Sequence, residues 1–139
     1  IACDRYAVYE RNIEIPKQTW HKDKVVSFEA DINDTIHLHD IFINIRNTYE
    51  YPKSNLYLFV TAISPASFAN IDTIECVLAD QKGKWYGKGL GDIKDHRFLY
   101  KKAIRFPVPG KYIVKIEQGM RSKQLEGILS VGLRIALSH

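Results

Sequence analysis

Cysteine, methionine and long apolar runs are scarce in this chain of 139 residues. Its two cysteines, Cys3 and Cys76, are too few for the disulfide framework of a small secreted scaffold. The longest nearly apolar run, residues 56–63, is much shorter than the roughly 20 residues of a membrane-spanning helix. The only methionine is Met120, and because no start methionine is present we expect a processed or trimmed chain.

Helical periodicity is also missing. No window carries a clear apolar stripe at a 3.6-residue spacing, and only residues 118–125 are compatible with one or two helical turns. Apolar and polar residues instead alternate between Gly- and Pro-containing turns, and the inward row Ile74, Cys76 and Leu78 is typical. We predict strands over residues 25–31, 36–47, 56–63, 72–79, 98–106, 111–118 and 128–137, with shorter pieces near Trp85 and the N-terminus. The predicted fold class is all-β: an antiparallel β-sandwich, jelly-roll-like, with little helix.

Two histidines lie in the second predicted strand, residues 36–47. The apolar parity changes at His39, which predicts a β-bulge, with Ile36 and Leu38 facing inward and His37 and His39 facing solvent. Two histidines at this spacing can ligate a metal, but no third ligand follows at a recognisable offset. We therefore expect no metal site.

Catalytic patterns are absent as well. There is no Gly-x-Ser-x-Gly motif, and Cys76 falls on the inward side of an apolar strand, where a small buried hydrophobe is expected. The glycines in residues 83–91 have no following helix that would hold a phosphate. We expect no enzyme, no catalytic residue and no cofactor.

The positive charge is concentrated in one region. The net charge is +4, and residues 82–105 alone contain eight basic residues against Asp92 and Asp95, interleaved with aromatic residues. Such a hairpin can bind an anionic glycan, a lipid headgroup, nucleic acid or an acidic protein surface. The alternative is that Trp85 and Phe98 belong to the core while the lysines protect an edge strand. The candidate contact surface consists of Lys84, Trp85, Tyr86, Lys88, Arg97 and Arg46.

The N-terminal Ile1-Ala2-Cys3 fits the end of a bacterial lipoprotein signal, in which the cysteine becomes the acylated first residue of the mature protein. Two or three acyl chains would hold a polar domain of this size on a membrane, whereas one short chain would not. A chance cysteine in a trimmed soluble chain is the alternative reading of these three residues.

Short motifs along nearly the whole chain resemble the GldH family of gliding-motility lipoproteins of Bacteroidetes-type bacteria. They include Cys3-Asp4, Asn12-Ile13-Glu14-Ile15-Pro16, Ile43-Asn44-Ile45-Arg46-Asn47, Asp72-Thr73-Ile74-Glu75-Cys76, Gly83-Lys84-Trp85, Gly89-Leu90-Gly91-Asp92-Ile93 and Val131-Gly132-Leu133-Arg134-Ile135.

The resemblance implies an accessory protein of the cell-envelope gliding machinery, which is associated with type IX secretion and acts by protein interaction rather than catalysis. It implies acylation, with palmitate among the chains, at Cys3 and an outer-membrane location. Residues 1–10 would be a lipidated N-terminal tether and residues 11–139 a single β-sandwich domain. The expected partners are the membrane and envelope proteins rather than nucleic acid. The alternative function is a jelly-roll glycan-binding module of an envelope lipoprotein, using aromatic side chains of the Trp85 region.

Overall fold

The fold is described from a computed structural model, which describes residues 6–89 and 91–139. These residues form antiparallel strands and one short 3-10 turn at Pro16–Gln18. The strands are β1 (Ala7–Glu14), β2 (Thr19–His21), β3 (Val26–Ile32), β4 (His39–Thr48), β5 (Asn55–Ile63), β6 (Ala69–Val77), β7 (Ile93–Ile104), β8 (Gly110–Gln118), β9 (Gln124–Glu126) and β10 (Ile128–Leu137). Among the described residues, no helix has the length and apolar character needed to span a membrane.

Strand pairing follows the order of one long folded hairpin. β1 pairs with β10, β2 with β9, β3 with β8, β4 with β7, and β5 with β6. Two further pairings, β4 with β10 and β5 with β8, roll this hairpin into two four-stranded sheets with the orders β1-β10-β4-β7 and β3-β8-β5-β6. A rolled hairpin of eight main strands in two sheets is the connectivity of a jelly roll. The predicted jelly-roll-like antiparallel β-sandwich is confirmed.

The core lies between the two sheets and is formed by the alternate side chains that the sequence pattern predicted. Cys76, Leu78, Ile116 and Leu133 are completely buried in it. Burial of one such side chain stabilises the fold by about 1.5–3 kcal/mol, so the two inward faces hold the sandwich together.

The start of β4 differs from the prediction. The strand begins at His39 rather than at residue 36, and its buried positions include His39, which packs edge-on against Phe106 at a ring-centroid distance of 5.2 Å. Ile36 and Leu38 lie in the preceding loop and are exposed by 73% and 38%. The prediction that these two residues face inward and His39 faces solvent is therefore wrong. The reason is that residues before a strand do not share its two-residue periodicity.

Two β-bulges lie in β7 rather than in β4, one at Tyr100 and one two residues further along the strand. The register between the two strands shifts where His39 pairs with Ile104 and Ile41 pairs with Lys101, which leaves an extra residue on β7. Ala103 adopts a positive φ of 52° at this point, and Lys102 is exposed. The second bulge explains why Lys102 interrupts an otherwise apolar row in the sequence.

The N-terminal part of the chain is more ordered than a surface loop. Trp20 is completely buried in β2, and its indole Nε1 donates to Lys24 O at 2.9 Å. Residues 118–125 form bends and β9 instead of helical turns. Residues 7–10, assigned from the sequence to the tether, form the first half of β1, where Glu10 pairs with Arg134.

The two ends of the sandwich are distinct. The loops at residues 33–38, 64–68 and 105–109 lie at one end, which we call the tip, because β3, β5 and β7 all finish there. The start of β1 and the C-terminus lie at the tip as well, since Ala7 pairs with Ala136 and Leu137 with His39. The loops after β4, β6 and β8 lie at the opposite, distal end.

Candidate binding cleft

A cleft of about 730 Å³ opens on the outer face of the β1-β10-β4-β7 sheet, towards the distal end. Its floor consists of outward side chains of the four strands, and its rim is the segment 86–88, which follows the loop after β6. Lys88 and Asp95 hold this segment to β7 through two backbone hydrogen bonds of 2.9 and 2.7 Å. Gly87 lies against the His96 ring, where a Cβ would come within 2.6 Å of a ring carbon. The rim is therefore packed directly on the sheet.

One glycine opens the centre of the floor. Gly132 on β10 lies in register between Asn12 on β1 and Asn44 on β4. A Cβ at Gly132 would lie 1.8 Å from Asn12 Oδ1, so only glycine leaves the Asn12 amide where it is. Asn44 Nδ2 donates to Asn12 Oδ1 across this gap at 3.2 Å. Because Gly132 has no side chain, the side chains of Asn12 and Asn44 meet across β10 and connect β1 with β4, which are not neighbours in the sheet.

Glu10 is the centre of the polar network on this floor. Its Oε1 accepts from Arg134 Nη1 at 2.8 Å, and its Oε2 accepts from Arg97 Nη2 at 3.1 Å and from Asn44 Nδ2 at 2.9 Å. Arg97 Nε also donates to Asn44 Oδ1 at 3.2 Å. One carboxylate therefore connects side chains of all four strands of the sheet.

A second ion pair lies beside the rim. Arg46 Nε donates to Asp95 Oδ1 at 2.6 Å, and Arg46 Nη2 lies 3.5 Å from Asp95 Oδ2. The hydrogen bond to Asp95 and the negative charge of Asp95 raise the pKa of Arg46 above its usual value. Both side chains are about half exposed, so their direct contribution to stability is small. The pair mainly fixes the guanidinium plane at the edge of the cleft.

The cleft has balanced charge, unlike the basic surface that the sequence indicated. Three carboxylates face three cationic side chains in its lining: Glu10, Glu14, Asp95, Arg46, Lys88 and Arg97. Arg46 and Arg97 are both paired with carboxylates. Lys88 is exposed and forms no ion pair among the described residues. Binding here would depend on matching both signs of charge.

Four of the six predicted contact residues line the cleft: Arg46, Tyr86, Lys88 and Arg97. Tyr86 is exposed by 62% at the rim. Lys84 lies outside the cleft in a turn, where its backbone N–H donates to Asp80 Oδ1 at 2.8 Å.

Trp85 also lies outside the lining. It is half-buried against the core and stacks on Tyr49 with ring centroids 6.3 Å apart and planes 18° apart. Tyr51, the other tyrosine of this region, is buried, and its hydroxyl donates to Asn55 O at 2.6 Å. Only Tyr49 and Tyr86 of these aromatic side chains present much exposed surface. Trp85 therefore packs against the core, and the exposed ring beside it is that of Tyr49.

The remaining basic residues of the 82–105 region do not converge on the cleft. Lys101 pairs with Asp72 on β6 at 3.4 Å, and Arg105 Nε donates to Ile36 O at the tip at 2.8 Å. Because β7 runs from the distal end to the tip, it distributes these charges along the whole sandwich.

His96 supports the cleft from beneath. Its Nε2 lies 2.8 Å from Asn47 Oδ1, and Asn47 Nδ2 donates to Thr48 O at 3.1 Å. Because the amide nitrogen is already used as a donor, the amide oxygen accepts from a protonated Nε2 of neutral His96. Burial lowers the pKa of His96 below its usual value, which is consistent with this neutral form.

The residues missed from the sequence are Glu10, Asn12 and Asn44. Their signal was weak but present, because Glu10 and Asn12 in β1, and Asn44 and Arg46 in β4, are polar residues two positions apart. This spacing predicts one polar face on each strand. It does not show that the two strands lie in the same sheet, separated only by β10.

The histidines and the cysteine considered from the sequence lie in separate surroundings in the structure. No group of three or more His, Cys, Asp or Glu side chains among them is arranged to hold a metal ion. His37 is exposed and pairs with Asp34 at 2.7 Å, whereas His39 is buried, so the two do not share a ligand face. Burial and the neighbouring Glu75 raise the pKa of Cys76 to about 12, so its thiol stays protonated at neutral pH.

The chain is a small, all-β domain with a cleft on the outer face of one sheet. A profile of the GldH lipoprotein family matches residues 7–135, and the chain belongs to this family of cell-envelope lipoproteins. A gliding motility lipoprotein GldH homolog of Christiangramia forsetii is 40% identical over 144 residues, covering 99% of this chain and 88% of that protein. The gliding motility lipoprotein GldH of Flavobacterium johnsoniae is 36% identical, covering 96% and 87%.

Solved structures resemble the chain only distantly. The VP2 subviral particle of infectious bursal disease virus matches with a TM-score of 0.44 and 16% identity, covering 97% of this chain and 33% of the viral chain. The Gx strain of the same virus matches with a TM-score of 0.36 and 13% identity, covering 96% and 30%. The chain spans about a third of the length of these viral chains, and similarity at this level carries no argument about function.

Proposed function

We propose that this protein is a non-catalytic accessory of the gliding machinery, associated with type IX secretion and attached to the outer membrane by acyl chains, palmitate among them, on Cys3. Cys3 lies outside the described residues, and the support for its role is the Ile-Ala-Cys sequence together with membership of a lipoprotein family. The relatives in Christiangramia forsetii and Flavobacterium johnsoniae are named for gliding motility.

The observation that supports an interaction role is the cleft with balanced charge. It is a defined concave surface with a braced floor, and its rim carries an exposed tyrosine and one lysine that forms no ion pair among the described residues. The occupant we propose is a loop or strand of an envelope protein that presents an acidic residue to Lys88 and an apolar group to Tyr86. Tyrosine is one of the residue types that dominate the affinity of many protein interfaces.

Anchoring is tested by metabolic labelling of the full precursor with a palmitate analogue. Wild type and Cys76→Ala should be labelled, because Cys76 is buried, while Cys3→Ser should lose the label. Equal labelling of Cys3→Ser and wild type would refute Cys3 as the anchor.

The role in gliding and the cleft are tested together in the organism that makes the protein. Deletion of the gene should abolish colony spreading, wild type and Lys84→Glu should restore it, and the double variant Tyr86→Ala, Lys88→Glu should not. Lys84→Glu is the matched control because this exposed lysine lies two residues before the rim segment and outside the cleft. Restoration of spreading by the double variant, at wild-type protein levels, would refute the cleft as the contact site. Normal spreading of the deletion strain would refute the role in gliding.

A glycan-binding module is the second candidate, favoured by the composition of the same cleft. Amide, carboxylate and guanidinium groups lie on its floor, and the exposed ring of Tyr86 stands at its rim. Planar polar groups can bind neighbouring sugar hydroxyls in pairs, while an aromatic ring stacks on the sugar face. A glycan array and NMR titration of the protein test this function. Saccharide-dependent shifts confined to Asn12, Asn44 and Tyr86 would support it, and an array without a hit would refute it.

A further inference from the structure

The tip of the sandwich exposes an unusual amount of apolar side chain. Phe68 is exposed by 76%, Ile36 by 73%, Val108 by 40% and Leu38 by 38%. These residues come from all three loops of the tip, which also contain the exposed Pro65, Pro107 and Pro109. Large apolar groups gathered at one end of a domain are a common mark of an interaction surface.

The three loops are held to one another and to the sheets. Arg105 Nε donates to Ile36 O at 2.8 Å, which connects the loop after β7 with the loop after β3. A Cβ on Gly110 would lie 2.9 Å from the Pro65 ring, so the start of β8 packs directly on the loop after β5. The Phe68 backbone N–H donates to Ser64 Oγ at 3.2 Å and its carbonyl accepts from Ser64 N at 2.9 Å, closing a tight turn. Phe68 is therefore presented outward from a braced turn.

The chain enters the sandwich at this same end. Tyr6 stacks on His139 with ring centroids 4.3 Å apart, and Ser138 N donates to Leu38 O at 2.9 Å, so both chain termini of the domain adjoin a tip loop. Cys3 precedes Tyr6 by three residues, a separation that the backbone can span by at most about 11 Å. An acyl chain on Cys3 would therefore keep the tip close to the membrane surface.

We propose that the tip docks onto the bilayer that holds the acyl chains, with Phe68 and Ile36 entering the interface. Acylation of Cys3 belongs to the proposed function, and the docking rests on it. The short tether limits the tip to the interfacial region, and the exposed cations Lys102 and Arg105 lie next to the tip loops, where they can meet lipid phosphates. The cleft, which opens towards the distal end, then faces away from the membrane, where a partner can reach it.

The test measures the depth of a spin label in the anchored protein. The acylated protein is purified and reconstituted in vesicles of phosphatidylethanolamine and phosphatidylglycerol, with a nitroxide on the thiol introduced by Phe68→Cys. The matched control carries the label through Lys82→Cys, an exposed position at the distal end. Cys76 is buried with a raised pKa, and Cys3 is acylated, so each variant offers one reactive thiol.

The measured quantity is the ratio of label accessibility to oxygen, which concentrates in lipid, and to a water-soluble nickel complex. We expect this ratio to be several-fold higher at position 68 than at position 82. Equal ratios in protein that floats with the vesicles would overturn the docking and leave the anchor intact. A tip that instead binds an envelope protein would give this same result on pure lipid vesicles.

Flotation of the vesicles distinguishes failure of the tip docking from failure of the Cys3 anchor on which the docking depends. Wild type should float with the vesicles, and Cys3→Ser should float much less. If wild type does not float, both the anchor and the docking are overturned.

A second pair of variants, Phe68→Asp and Tyr86→Asp, places one charge at the tip and one at the distal rim. Only Phe68→Asp should weaken the residual flotation of the Cys3→Ser protein, and equal flotation of the two would also overturn the docking.

Discussion

At the scale of single residues, Glu10 contributes more than its position on an edge strand suggests. Its carboxylate joins Arg134, Arg97 and Asn44, and the Arg134 side chain is only 8% exposed. A guanidinium buried to this extent costs free energy unless a charged acceptor meets it. Loss of the Glu10 carboxylate should therefore destabilise the fold as well as change the shape of the cleft.

Replacing Glu10 by Gln should lower the free energy of unfolding by about 1–3 kcal/mol, because the ion pairs with Arg134 and Arg97 are lost and one of the two carboxylate acceptors becomes an amide donor. Urea unfolding monitored by tryptophan fluorescence measures the change. Glu14→Gln is the control, since Glu14 lines the same cleft but forms no ion pair among the described residues. A similar loss in both variants would contradict this role of Glu10.

His96 should make stability depend on pH. Burial lowers its pKa below the ordinary value of 6.5, so between that value and the lower folded-state pKa only the unfolded chain binds the proton. Stability is therefore full above about pH 6.5 and declines as the pH falls through this range. The melting temperature of wild type should drop more than that of His96→Gln between about pH 7.5 and 5. His21→Gln, at an exposed histidine, should follow wild type, and parallel curves for all three would refute the prediction.

At the scale of elements, the second bulge in β7 is held by one side chain. Asp40 Oδ1 accepts from Ala103 N at 2.8 Å and from Ser138 Oγ at 2.6 Å, and both hydrogen bonds lower the pKa of Asp40. The bulge thereby connects β7 with the start of β4 and with the C-terminus. It turns Lys102 outward next to the tip, where in the proposed docking its positive charge meets lipid phosphates.

Ala103 is the residue of this bulge with a positive φ, at 52°. A β-branched side chain is strained in that conformation, so Ala103→Val should destabilise the protein by about 1–3 kcal/mol. Ala103→Gly is the matched control and should be neutral or slightly stabilising, because glycine adopts this conformation without strain. Thermal unfolding of both variants provides the comparison, and equal melting temperatures for Val and Gly would contradict the strain argument.

At the scale of the whole molecule, the rolled hairpin places the two proposed interaction regions at opposite ends. The ten residues of β4 alone extend about 30 Å, from His39 at the tip to Thr48 at the distal end. One end carries the chain entry and the exposed apolar loops, and the other carries the rim of the cleft. This arrangement suits a protein that is anchored at one end and recognised at the other.

The same topology should make folding slow. β1 pairs with β10 and β3 with β8, so the sheets close only when residues distant in sequence meet. Proteins dominated by such non-local pairing refold in about milliseconds to seconds. Stopped-flow refolding of the Cys3→Ser protein, which lacks acyl chains, should fall in this range. Complete refolding in microseconds would contradict it.

Much of the fold was predictable from local patterns. The bounds of β10 agree with the predicted residues 128–137, and the inward row of Cys76 and Leu78 is buried as expected. Alternation at a spacing of two depends only on strand geometry, so it can be read from a single segment. The prediction that the strand begins at residue 36 was wrong for the same reason. Ile36 and Leu38 alternate with polar residues, but they lie in the loop at residues 33–38 and not in a strand.

The sequence by itself determined the all-β class, the core rows, the family resemblance and the candidate anchor at Cys3, since each depends on residue type and on spacing within short segments. Only the tertiary structure decided that Glu10, Asn44 and Arg97 form one network, and that Phe68 and Ile36 share the end where the chain enters. These relations depend on which strands become neighbours. Strand order arises from the packing of the whole chain into two sheets, and no single segment encodes it.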